Sequence, residues 1–196
     1  MKNRRTVPLT LLISLAGTFS GAGAGNAEPT EAERAADSRQ LILSFAKRLK
    51  AELVGAIKSG GPESAIPVCH TAAPAITKQK AAVKGWSLGR TALKLRNPTN
   101  APDPWERSVL VKFQEKLGQG SDVSALEHYE TTTQNGKRVF RYMKAIPTQK
   151  PCLTCHGPNV SESLRKRIKQ FYPDDQAVGF SLGDLRGAFT IIQPLE

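Results

Sequence analysis

Leu41, Phe45, Leu49, Leu53 and Ile57 recur every four positions with Lys and Glu between them, so Pro29 to about Ile57 is expected to be a helix with one apolar face. "SGGP" at 59–62 ends it, with Gly60 or Gly61 suited to the left-handed C-terminal position. A second, shorter helical pattern, "ESAIPVCHTAAPAITKQKAAV", is broken by Pro67 and Pro74 and carries Cys69 and His70 at its centre. "GWSLGRTALKLRNPTNAPDPWE" follows, loop-like and dense in Gly, Pro and Asn, with one possible strand near 86–95. Asp103 then has the features of an N-cap, with Pro104 at the first helical position and Glu106 completing a capping box. That helix should run to about Leu117 and stop at Gly118 and Gly120.

Beyond it the period shifts towards two. "EHYETTT" and "RVFRYMKAI" flank Gln134-Asn135-Gly136-Lys137, and Asn-Gly between two β-prone runs predicts a hairpin. "SESLRKRIKQFY" predicts a short helix capped by Ser161, and "AVGFSLGDLRGAFTIIQP" two more strands around Gly183-Asp184. Helices first and a largely antiparallel sheet later give a single α+β domain, with no internal repeat and no low-complexity linker.

Composition alters this picture at the N-terminus. "MKNRR", the apolar "VPLTLLISLAGTF" and a small-residue run ending Gly25-Asn26-Ala27 have the order of a cleaved signal peptide, here 1–27, leaving 28–196 as a periplasmic or otherwise exported chain. The apolar run is too short to span a bilayer comfortably, and no later run is apolar enough for a membrane span. Loss of Lys2, Arg4 and Arg5 lowers the formal net charge from +11 to +8. The cations are spread out and not interleaved with aromatics, which make up 6%, so nucleic acid is an unsuitable partner and an acidic protein a suitable one.

Two of the three cysteines and one of the three histidines fall within five residues, Cys152-Leu-Thr-Cys155-His156, the attachment signature of c-type haem. Thiols three residues apart on one turn can reach the two vinyl groups of one porphyrin and add across them as thioethers. The next histidine is then carried under the ring to bind iron. A zinc site would need a second ligand pair, which Cys69-His70 could in principle supply. A thioredoxin-like dithiol would need the motif at the start of a helix after a strand, whereas here Pro and Gly bracket it as a loop. One covalently attached haem c is therefore the expected cofactor, with Cys152, Cys155 and His156 holding it. For the second axial position Cys69, His70, His128 and Met143 are all candidates.

"AIPVCHTAAP", "GRTALKLRNPTNAPDPWE", "CLTCHG" and "AVGFSLGDLRGAFTI", in that order, resemble the periplasmic single-haem cytochrome domains of PAS-like fold. This family was long a domain of unknown function and is often found ahead of two-component histidine kinases; the likeness spans about residues 40 to 195. The resemblance implies Cys69 as the distal iron ligand opposite His156, with His70, and so His/His ligation, as the alternative. It also implies a haem lying over the sheet face and closed by the N-terminal helices. Arg90 or Arg96, with Asn97 nearby, suit the anionic propionates, and Trp86 and Trp105 suit the ring or the core.

With both axial positions filled, and with no acid/base pair in a catalytic arrangement, the chain is expected not to be an enzyme. Low-potential electron transfer to a redox partner protein of acidic surface is one expected role. The other is redox or gas (NO/CO) sensing, with release of Cys69 as the switch and a separate partner as output. A haem enzyme with a labile distal ligand is the third and least favoured reading.

Overall fold

The computed structural model describes residues 28–82 and 84–195, without the side chains of 80–82; the expected signal peptide lies outside the described residues. Helix α1 spans Glu31–Gly60 and starts at a reciprocal capping box, in which Thr30 accepts from the Glu33 amide and the Glu33 carboxylate accepts from Thr30. Glu31 and Glu33 in the first turn and Lys58 in the last complement the helix dipole. The face it buries is Ala35, Ser38, Ile42 and Phe45, while Leu41 and Leu49 are partly buried and Ile57 is 39% exposed. Of the four-residue stripe only Phe45 is fully buried, Leu41 and Leu49 being partly covered and the stripe opening to solvent at Ile57. Small Ala35 and Ser38 let the backbones approach closely, which a search for large apolar residues does not detect.

After Gly61, whose φ of 75° closes α1, the second helical pattern is not broken by its prolines. It runs as α2 (Ala65–Pro67), a π-helical turn (Val68–Ala72) and α3 (Ala73–Ala82). Pro74 has no N–H, and its ring crowds the carbonyl four residues back. Widening one turn so that Ala73 N–H reaches Val68 O accommodates it without ending the helix.

Strand β1 (Ser87–Thr91) is shorter than expected, and α4 (Pro104–Gly118) has the predicted capping box, Asp103 with Glu106. Strands β2 (Glu127–Gln134) and β3 (Lys137–Pro147) meet at the Asn-Gly turn, where Asn135 and Gly136 have φ of 53° and 76°. Then come α5 (Leu153–His156), α6 (Glu162–Phe171), capped by Ser161, and β4 (Leu185–Pro194). The C-terminal segment supplies one strand rather than two. Residues 177–181 run as loop, and their amides go to the motif instead: Phe180 N–H donates to His156 O and Gly179 N–H to Gly157 O.

The sheet is antiparallel throughout, ordered β1-β4-β3-β2, so the last strand lies in its interior. Alternation along β3 sends Phe140 and Tyr142 to one face, where they pack with Phe45 of α1, and Met143 and Ala145 to the other, against Phe113 of α4. A third cluster joins Ile66 to Leu164 and Ile168 of α6, with Cys155 packed at its margin. The expected α+β architecture is thus observed, with helices on both faces of the sheet. Among the described residues no helix is long and apolar enough to cross a membrane.

Candidate functional site

The Cys-x-x-Cys-His segment is not a loop. A 3-10 turn, Lys150–Cys152, leads directly into α5, so Cys152 ends the turn and caps the helix that carries Cys155 and His156. Gly157 closes the turn, because a Cβ there would lie 2.5 Å from Leu153 O. Arg96 clamps the segment from outside. Its guanidinium holds Asp175 through two bonds of 3.0 Å and donates to Cys155 O at 2.6 Å and Ala177 O at 3.2 Å.

His156 is largely enclosed. Burial first, then the charges of Arg186 and Arg96, push its pKa down to about 2, so the ring is neutral. Its Nδ1 lies 2.8 Å from Ala177 O, a contact that requires Nδ1–H as donor and leaves Nε2 bare. Arg186 Nε sits 3.3 Å from the same Nδ1. A protonated Nδ1 cannot also accept from it, so Arg186 acts here as a neighbouring charge.

Cys69 stands on the π turn. Burial raises its thiol pKa, opposed by the charges of Arg90, Arg96 and Arg186, the same three cations that act on His156. Burial also raises the Cys155 thiol, opposed by the charge of Arg96. His70, one position on, is exposed and turns its ring edge-on to Phe171 (5.3 Å) and Tyr172 (5.5 Å) of the α6 region. A second pair of zinc ligands is therefore not assembled. Among the described residues no group of three His, Cys, Asp or Glu side chains is gathered as a metal ion would need.

Arg90, Thr91, Arg96, Cys152, His156 and Arg186 line a cleft of about 190 Å³. Of its three guanidiniums only Arg96 has a carboxylate partner. Arg90 lies over the Phe45 ring and Arg186 over Phe180, with no ion pair among the described residues. Burial lowers the pKa of both, that of Arg186 to about 10. Thr91 Oγ1 is buried there without a partner. The cleft thus combines a metal-competent imidazole, the Cys152 thiol and two uncompensated cations suited to an anion.

Other candidates lie elsewhere. Met143 is fully buried in the α4-side core, and His128, its partner in register, packs on Trp105 at 5.7 Å. Asn97 caps the turn Pro98–Asn100, accepting from Thr99, and borders a neighbouring cleft of about 400 Å³ that shares Arg90 with the first. Arg96 is committed to the clamp rather than open to a ligand. Trp86 packs in the α1-side core and Trp105 against the α4-side one, with Arg141 over its ring at 4.2 Å. Arg186 escaped the sequence reading because only the β4 register and the Ala177–Phe180 loop bring it to His156.

Residues 26–194 match the Tll0287-like family model, and the chain belongs to that family. Among solved structures it is similar to the cyanobacterial heme-protein Tll0287, at 25% identity and a TM-score of 0.59, over 82% of this chain and 96% of that one. None of the curated proteins matches it.

Proposed function

We propose that the chain is an exported c-type haem protein of PAS-like fold that exchanges single electrons. One haem would be attached through Cys152 and Cys155 and ligated by His156 and Cys69. The observation that carries this reading is the bare Nε2 of a neutral His156, its other nitrogen fixed on Ala177 O, on the short helix that holds Cys155 and has Cys152 as its N-cap. The donors fit the group. Cys152 and His156 line one cleft with Arg90 and Arg186, and these two guanidiniums, without a carboxylate partner among the described residues, offer charge to two propionates. The structural likeness to a heme-protein supports the same group. When bound, haem supplies one-electron chemistry at a potential set by its axial ligands.

The chain's own part is to orient and enclose. Arg96 and Asp175 fix the attachment helix, burial keeps His156 neutral, and the Cys69 thiol, with its pKa raised, must lose its proton to bind. Because His156 and Cys69 would both hold the iron, an enzymatic role is not proposed. A pyridine haemochrome spectrum and intact mass of protein matured in a cytochrome-assembling host test the reading; colourless protein without the added tetrapyrrole mass overturns it. In coloured protein, Cys69→Ala should shift the ferric Soret band and raise the midpoint potential, because a donating thiolate favours the ferric state.

One observation favours sensing as the second reading: Cys69 stands on the π turn, a place where a helix can change register. The turn runs directly into α3, so a residue holding iron from this turn would couple the haem to that helix. Rapid carbon monoxide binding by the reduced protein would favour this role over simple transfer.

A further inference from the structure

We infer that the outer face of α6 is the docking surface for an acidic redox partner; this rests on the haem reading and assigns the partner's place. Helix α6 buries Leu164 and Ile168 in the cluster where Cys155 packs, so it forms the wall over the attachment segment. Its outward face carries Arg165, Lys166 and Lys169, all exposed, with half-buried Arg167 beside them. None is ion-paired among the described residues. Arg165 donates to Val160 O, and Arg167 donates to Gln170 and lies over Phe171. Glu162 in the first turn is the only acidic residue of the helix. Exposed Lys150 stands two positions before Cys152 in the 3-10 turn.

Four cations on ten residues, left unneutralised, cost the fold self-repulsion, and their packing role is already met by the apolar face. What they do offer is a positive potential directly over the segment expected to hold the redox group, where steering raises encounter rates and shortens the transfer distance. A membrane is the poorer occupant. An interfacial helix inserts apolar side chains, whereas those of α6 are spent inside the domain and none of the large exposed hydrophobics lies on it.

The test uses the reduced haem-loaded protein and its charge-reversed variant R165E/K166E/K169E, with K166Q/K169Q as the milder one. Oxidation is followed by stopped flow with ferricyanide, with a cationic cobalt tris(bipyridine) complex, and with an acidic flavodoxin as the protein probe. At low ionic strength the reversal should slow the two anionic probes about tenfold or more and speed the cation, and the sign of the salt dependence should invert. The neutral variant should fall between, with the Soret band and midpoint potential unchanged. Equal rates for wild type and both variants overturn the assignment while leaving the haem reading intact. Reversal-sensitive binding to anionic vesicles, without an effect on flavodoxin oxidation, also overturns it. Absence of a haemochrome would instead defeat the reading beneath it.

Discussion

Arg96 shows why residue type alone did not fix its role. Its guanidinium suits a propionate, but Asp175 lies within a few residues of Ala177, and the pair, with side chains each 8% exposed, closes on itself. Removing one partner strands a buried charge and costs about 3–5 kcal/mol. Asp175→Asn should therefore lower the urea midpoint strongly, and haem incorporation should drop because Cys155 O and Ala177 O lose their clamp. The double variant R96Q/D175N should regain part of that stability, since no uncompensated charge remains. A double variant no more stable than D175N would show that the clamp's hydrogen bonds, and not its charge balance, matter.

At the level of elements, the π turn is the feature with functional weight. Successive helical residues point about 100° apart, so one residue of register decides whether Cys69 or His70 faces the motif. Pro74→Ala restores an amide and removes the ring clash, which lets the turn relax to ordinary α geometry. We expect the ferric spectrum of the matured variant to change in the same direction as that of Cys69→Ala; an unaltered spectrum would show that tertiary packing alone holds the turn. The tie between α1 and β2 is electrostatic. Arg39 donates to both Glu127 oxygens and Tyr142 to one of them. Arg39 above all holds the Glu127 carboxyl down at about 2. A carboxyl depressed on folding contributes stability that is complete above its ordinary value near 4.5 and is lost as pH falls towards 2. Glu127→Gln should therefore flatten the acid limb of the stability profile between those values. Discounted for partial exposure, it should cost about 2 kcal/mol at neutral pH. Parallel acid limbs would place the stabilisation elsewhere.

For the molecule as a whole, one sheet carries two cores, and each has its own tryptophan: Trp86 on the α1 side and Trp105 on the α4 side. Because β3 and β4 line both, neither core can melt alone without exposing the other face of the same strands. Denaturation followed by the fluorescence of Trp86→Phe and Trp105→Phe should give midpoints that track far-UV circular dichroism in each variant. Phe45→Ala, which removes a fully buried ring from the α1 side, should cost about 3–5 kcal/mol and lower both probes together. Separated transitions would mean two independently folding layers.

The local signals were legible in the sequence because their physics is local. The capping box of α4, the Asn-Gly hairpin, the Ser161 cap and the spacing of Cys152, Cys155 and His156 each depend on residues a few positions apart. The extent of α1's buried face, the single C-terminal strand and the uses of Arg96, Asn97 and Arg186 were decided by partners up to 155 residues away, or by a turn closing on itself. The neutral, Nδ1-protonated state of His156 belongs with these. Imidazole alone leaves the tautomer and charge open, and only the Ala177 carbonyl and the cations packed around the ring resolve them.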